Sequence, residues 1–137
     1  MNSVFSTILT PVAGLLMLAG CGGGSDGPAL YEVSGTVTWN GAPLSQGDII
    51  FRASDGKGNS YAAKIANGAY TAKCEPGPKQ VEITSIQEVP GKTREDNPGE
   101  IVAVTEQVIP EQFNTKTGLK TDVAANDDNV ADFDLTK

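Results

Sequence analysis

The sequence contains no histidine and only two cysteines in its 137 residues. The missing histidine excludes Ser-His-Asp and Cys-His nucleophile systems, and it excludes every zinc site that uses a histidine ligand. Catalysis by a pair of carboxylates stays open. Basic residues are also outnumbered: the net charge is −7 and the pI about 4.4, a balance that repels phosphate backbones and anionic lipid surfaces. We therefore expect no nucleic-acid partner.

Two further absences bound the domain organisation. Residues 1–20 contain no Asp, Glu, Lys or Arg, and no later segment places apolar residues at helical spacing. The apolar stretch from about Ile8 to Leu18 is shorter than the roughly 20 residues that a membrane span needs, and Pro11 interrupts it. Removing residues 1–20 from 137 leaves 117, enough for one two-layer core.

The apolar stretch ends at Leu18-Ala19-Gly20-Cys21, which resembles the lipobox of bacterial lipoproteins. The resemblance implies that residues 1–20 are a signal peptide cut after Gly20 and that Cys21 carries diacylglycerol on its thiol. The protein would then be held in the cell envelope by lipid, facing the periplasm or the exterior, and would need no other cofactor. The leader departs from the pattern because it has no Lys or Arg. An uncleaved N-terminal anchor or a plain apolar tail is the alternative.

Residues 21–30 are predicted to be a lipidated cysteine followed by a Gly-rich tether. The stretch Gly22 to Pro28 has almost no side chains that could pack, as in flexible linkers. Its root-mean-square reach is on the order of 15 Å, so the domain that follows would sit close to the bilayer.

From Tyr31 onward the apolar residues alternate, which is typical of half-buried strands. Asn40-Gly41 and Asn67-Gly68 are strong hairpin signals. We predict antiparallel strands around 31–39, 48–52, 61–65, 70–74, 80–85, 119–123 and 131–135, with Leu44 pointing inward. Residues 87–105, rich in Pro, Gly and charge, are predicted to be an inserted, mobile surface loop in which Ile101 to Val104 could add an edge strand.

Several segments carry a common pattern: Val33 to Val37 with Asn40-Gly41, Pro43-Leu44 and Ile49 to Phe51, Asn67 to Thr71, Pro76-Gly77 with Val81 to Ile83, Ile109 to Asn114, and Asp132 to Leu135. Together they resemble the carboxypeptidase regulatory-like, or transthyretin-like, domain of small bacterial lipoproteins. The resemblance implies an all-β fold, a seven-stranded antiparallel Greek-key β-sandwich over 31–137, and a module that is generally non-catalytic. Lys79 departs from it, because the family often has an aromatic residue there. The hydroxyisourate-hydrolysing relatives depend on histidines, so that activity is excluded.

Candidate sites are few. Cys74 could be a redox switch or form an intermolecular disulfide, but free cysteine more often packs as a small buried residue. Asp127 and Asp128 are weak Ca²⁺ candidates, because the stretch 126–129 lacks the spacing of a calcium loop and equally suits a solvated turn. The aromatic residues could stack on sugars, although their inward positions favour the core; they are Tyr31, Trp39, Tyr61 and Tyr70.

The sequence therefore predicts a non-enzymatic envelope lipoprotein with a structural or protein-binding module. A carbohydrate- or ion-binding module for cell-surface polymers is the alternative, and a carboxylate hydrolase is the least favoured. The expected partners are the membrane, reached through the lipid, and an envelope protein or polysaccharide. A protein partner is expected to bind the 87–105 loop or an open sheet edge.

Overall fold

The computed structural model describes residues 26–137, so the predicted signal peptide, Gly20 and Cys21 lie outside the described residues. This part of the chain is all β, with one short 3-10 helix at Glu111–Phe113 and no helix long and apolar enough to cross a membrane. Its strands are β1 Tyr31–Trp39, β2 Ala42–Pro43, β3 Gln46–Ala53, β4 Ser60–Ala66, β5 Ala69–Cys74, β6 Gly77–Thr84, β7 Ile86–Asn97, β8 Glu100–Gln107, β9 Lys120–Val123, β10 Asn129–Val130 and β11 Phe133–Leu135.

The main sheet curls back on itself. Its strand order is β10-β1-β5-β4-β3-β6-β9, and the β2 and β11 strands also pair with β1. The β4 and β5 strands share only the pair Ala66–Ala69, next to their connecting turn. The rings of Phe51 in β3 and Tyr70 in β5 lie 6.0 Å apart although β4 separates the two strands along the sheet. The β1–β5 half therefore faces the β3–β4–β6 half across one core.

The core is filled by the inward positions of the alternating strands. In β3 and β6, Ile49 is opposite Ile83 and Phe51 is opposite Val81, and all four side chains are buried. The remaining core residues come from every part of the main sheet and the segments beside it: Val33, Val37, Leu44, Ile65, Tyr70, Ala72, Cys74, Ile109, Val123, Ala131, Phe133 and Leu135. The predicted strands and the inward position of Leu44 are confirmed.

Both predicted hairpin signals form tight turns. Asn40 and Asn67 each have φ of 51°, and Gly41 and Gly68 follow with φ of 84° and 76°. Positive φ at both central residues is what a type I′ turn requires, and Asn followed by Gly accepts it at the lowest steric cost.

The prediction that all strands are antiparallel is wrong for the end of the chain. The β10 and β11 strands both run parallel to β1, with Val33 opposite Asn129 and Val37 opposite Phe133. The cause is where β9 ends: Val123 pairs with Gly77, at the end of the sheet where β1 begins. The chain crosses there to the other edge, so the next strand must run beside β1 in the same direction.

The loop predicted at 87–105 is also wrong, because these residues form most of a β-hairpin, although the strand considered for Ile101 to Val104 does lie within β8. The β7 and β8 strands pair with each other as a separate two-stranded sheet, and this hairpin, residues 86–107, is called the ribbon below. Gly99, with φ of 84°, turns the chain at the tip, and the register shifts between Glu88 and Thr93, where Pro90 and Gly91 lie. The seven-strand prediction therefore undercounts the strands. The Pro, Gly and charged residues of β7 indicated a loop, but a β-bulge on a solvent-exposed edge tolerates all three within a strand.

The link between β10 and β11 passes directly over Gly35 in β1. Ala131 N donates to Ser34 O at 2.9 Å, and the buried Tyr70 hydroxyl donates to Ala131 O at 2.5 Å. A Cβ on Gly35 would collide with the Ala131 carbonyl group, reaching its carbon at 2.7 Å. The β11 strand is then held on β1 by Asp132, whose carboxylate accepts from Thr36 N and Oγ1, and by Asp134, which accepts from Thr38 Oγ1.

Gly35→Ala is expected to lower the free energy of unfolding by about 2–3 kcal/mol, since a methyl group must displace a hydrogen-bonded backbone segment. Urea denaturation monitored by tryptophan fluorescence would measure the loss. Gly118→Ala is the matched control, because nothing lies within 4 Å of a Cβ there, and it should change stability by less than about 1 kcal/mol. Equal effects of the two substitutions would contradict the close approach at Gly35.

Candidate functional site

An open cleft of about 610 Å³ lies at the end of the sheet where β1 and β6 begin and β3 and β5 finish. We call it the tether-end cleft, because Pro28 and Ala29, in the last part of the predicted 21–30 tether, form one wall together with Tyr31. Two turns complete it, the β3–β4 turn and the β5–β6 turn. The lining residues are Pro28, Ala29, Tyr31, Ala53, Ser54, Asp55, Lys57, Gly58, Glu75, Pro76, Gly77, Pro78 and Lys79.

Lys79 occupies a core position of β6. The strand alternates so that Lys79, Val81 and Ile83 are buried, and only 3% of the Lys79 surface is exposed. Ala53 is the residue opposite it on β3, and this small side chain leaves room above the core. At position 79 the transthyretin-like family, which the sequence resembles, often has an aromatic side chain, whereas this chain has the long cationic side chain of lysine.

The Lys79 ammonium group has no partner among residues 26–137. No hydrogen bond involves its Nζ, and the ion pairs within 4.0 Å use other cations: Arg52, Lys64, Arg94 and Lys116. No fully enclosed side-chain nitrogen or oxygen in this part of the chain lacks a hydrogen-bond partner. The Lys79 Nζ must therefore keep contact with open space, and Lys79 borders the tether-end cleft.

Cys74 lies beneath this cleft as a free and fully buried thiol. Burial raises the pKa of the Cys74 thiol, the positive charge of Lys79 opposes that rise, and Glu75 adds to it. A buried thiol whose pKa is raised is a poor nucleophile. The interpretation of Cys74 as a small core residue is confirmed by its burial.

Asp127 and Asp128 lie in the segment that crosses between β9 and β10. Asp127 Oδ1 accepts a hydrogen bond from Glu32 N at 2.9 Å, and Asp128 N donates to Asn126 Oδ1. The Asn129 side chain closes the turn through Ala124 and Asn126. Within residues 26–137 no three Asp, Glu or Cys side chains come together as a metal site. The two aspartates thus take part in turn and strand contacts.

The aromatic residues are inside or half-buried. Tyr70 is buried, and burial together with the nearby Asp132 carboxylate raises the pKa of its hydroxyl above the usual tyrosine range. Trp39 packs edge-on against Phe113, with ring centroids 6.4 Å apart. Tyr31 and Tyr61 are half-buried against the core. No aromatic side chain of the described residues is fully exposed as a stacking surface.

The ribbon is the second candidate surface. The Val102 and Val104 side chains share one face, and Thr93, Ala103 and Ile101 share the other. Residues 90–101 are exposed, so the distal part of the ribbon does not pack back on the main sheet. Each of its strands pairs only with the other, which leaves two open strand edges within the described structure. Arg94 makes a local ion pair with Asp96 at 2.7 Å, and this pair raises the pKa of the Arg94 guanidinium.

The cleft and the ribbon lie at opposite ends of the main sheet. The β6 strand begins at Gly77, which lines the cleft, and ends at Thr84, next to the start of the ribbon. The β1 strand runs in the same direction, from the cleft to Trp39. It is antiparallel to β5, as β6 is to β3, and β3 and β5 run in the same direction because both are antiparallel to β4.

Comparisons with known proteins add no functional information. No protein-family model and no curated protein matches the chain. A 9R-lipoxygenase structure from Cyanothece PCC8801 aligns over 79% of this chain with a TM-score of 0.35 and 15% identity, and the chain spans 16% of that protein's length. A likeness at this level supports no inference about fold or activity.

Sequence reasoning located neither the cleft nor the importance of Lys79. The available signal was the alternation in β6, which places a lysine in phase with Val81 and Ile83. The open strands of the ribbon were placed in the right region but were assigned the wrong structure.

Proposed function

We propose that this protein is a cell-envelope lipoprotein, anchored through lipid on Cys21 after cleavage behind Gly20. Its single transthyretin-like β-sandwich acts as a non-catalytic module that binds another envelope protein. The observation that carries the proposal is the ribbon, an exposed hairpin that leaves the end of the domain opposite the predicted tether.

The ribbon suits binding by strand addition. A hairpin without a packed face is marginally stable on its own, and an open edge offers unpaired backbone donors and acceptors to an extended segment. The exposed Ile101 and the valines of the opposite face supply apolar contacts on alternating positions. We propose that the occupant is an extended strand of a protein partner.

The geometry favours protein binding over the other candidate functions. A sugar-binding module needs aromatic faces open to solvent, and the described aromatic residues are buried or half-buried. A carboxylate hydrolase needs two positioned carboxyl groups. Asp55 and Glu75 line the cleft, but Asp55 is an exposed turn residue whose Oδ1 accepts from Lys57 N at 2.8 Å.

Cys21 is expected to carry the lipid. Mass spectrometry of the mature protein should show a chain that begins at residue 21 with the added mass of diacylglycerol and an acyl chain. Cys21→Ser should abolish both the cut and the added mass, whereas Cys74→Ser, which removes the other thiol, should preserve both. An unmodified Cys21, or a chain that retains residues 1–20, would overturn the anchor proposal.

Photo-crosslinking in intact cells tests the ribbon. A photoreactive amino acid at Ile101 should give a discrete protein adduct, because this position would face a bound strand. The matched control is Val130 on the edge strand β10, because both side chains are 70% exposed. An adduct from Val130 and none from Ile101 would move the interface to the main sheet, and no adduct from either position would remove the support for protein binding.

A further inference from the structure

The charged Lys79 side chain is almost completely buried, and no described residue pairs with its ammonium group. Its stem is buried beside Val81 and Ile83, and the residue retains only 3% of its surface. Removing an ammonium group from water is strongly unfavourable unless the charge is paired and hydrogen-bonded. A lysine whose nitrogen lies at the margin of a core therefore needs either water or an anion at that nitrogen.

The acidic residues nearest to this cleft do not provide the anion. Asp55 and Glu75 both line it, yet neither carboxylate lies within 4.0 Å of a lysine or arginine nitrogen in residues 26–137. The Asp55 carboxylate instead accepts a hydrogen bond from Lys57 N within the β3–β4 turn. The Lys79 ammonium group thus has no fixed counter-ion in residues 26–137, and Lys79 borders an open space of about 610 Å³.

We infer that the tether-end cleft binds a small oxyanion, a phosphate or carboxylate group, whose negative charge pairs with Lys79 Nζ. Lys57 on the rim supplies a second cation. Pro28, Pro76 and Pro78 also line the cleft, beside Asp55 and Glu75, so the anionic group can carry a short apolar body.

Two sources of the oxyanion share this chemistry. The cleft is lined by Pro28 and Ala29, which belong to the predicted tether, so a lipid head group would be within reach if Cys21 is anchored. A soluble phosphate or carboxylate would use the same nitrogen. The inference does not depend on the ribbon or on its partner.

The test is a titration of the purified full chain in maltoside micelles, followed through the backbone amide NMR shifts of Gly58 and Gly77. Three ligands are added separately: inorganic phosphate, acetate, and dihexanoylphosphatidylglycerol below its micelle concentration. Lys79→Met preserves side-chain volume and removes the charge. Lys73→Met makes the same charge change on the exposed side of β5, away from the cleft lining, and is the matched control.

We expect saturable binding of at least one ligand, with shifts at Gly58 and Gly77. Lys79→Met should weaken that binding by about tenfold or more, because a charge-assisted hydrogen bond is lost. Lys73→Met should change it by less than about twofold. Tighter binding of the lipid than of phosphate and acetate would identify a head-group site, and equal or weaker binding of the lipid would identify a soluble oxyanion.

Two results would overturn the inference: no saturable binding of any of the three ligands, or equal losses in the two variants. The unfolding midpoint of Lys79→Met is measured alongside. If that variant does not fold, the wild-type shifts decide, because a binding isotherm without shifts at Gly58 and Gly77 would place the oxyanion outside the cleft.

Discussion

The close approach of Ala131 to Gly35 is the constraint on which the packing of the last strands against β1 depends. A curled sheet needs both of its edges to be held, and the β1 edge is held where the chain between β10 and β11 lies on a residue without a side chain. Tyr70 reaches from β5 to the Ala131 carbonyl, so one buried hydroxyl ties three strands together. Its apolar ring also contacts Phe51 across the core, which links the closure to the opposite half of the sheet.

The pairing of β10 and β11 with β1 also makes the two ends of the domain different. Because β10 and β11 run parallel to β1, the last strand finishes near Asn40, whose side chain accepts from Lys137 N at 3.0 Å. That end carries the ribbon, and the other end carries the residues that follow the predicted tether. The cleft is at the second end because β6 places a lysine, and β3 an alanine, where the core would otherwise continue.

Local patterns were sufficient for much of the fold. The alternation in β1, β3 and β5 and the two Asn-Gly turns depend only on neighbouring residues, and these elements were predicted correctly. The parallel pairing of the last strands could not be predicted from the sequence, because it depends on the end of the sheet at which β9 finishes, 92 residues after the start of β1. The ribbon was missed because its pairing tolerates Pro90, Gly91 and a run of charges on a surface that no core face constrains.

The candidate site was harder to predict than the fold. The alternation of β6 places Lys79 in phase with Val81 and Ile83, but only the tertiary structure shows that this buried lysine pairs with Ala53 and borders a cleft. The proposed lipid position is the opposite case, since Leu18 to Cys21 resemble a local signal that needs no tertiary structure to be recognised. The cleft and the proposed lipid position are connected only through β1, which starts beside the cleft and directly follows the predicted tether.

If Cys21 carries the proposed lipid, the tether end of the domain faces the membrane and the ribbon points away from it. The direct measurement uses spin labels on the lipidated protein in vesicles that contain a nickel-chelating lipid, with Lys57→Cys reporting on the cleft rim and Pro98→Cys on the ribbon tip; both positions are exposed. We predict strong relaxation enhancement by surface nickel at residue 57 and little at residue 98. Equal enhancement at the two positions, or stronger enhancement at residue 98, would contradict the proposed orientation.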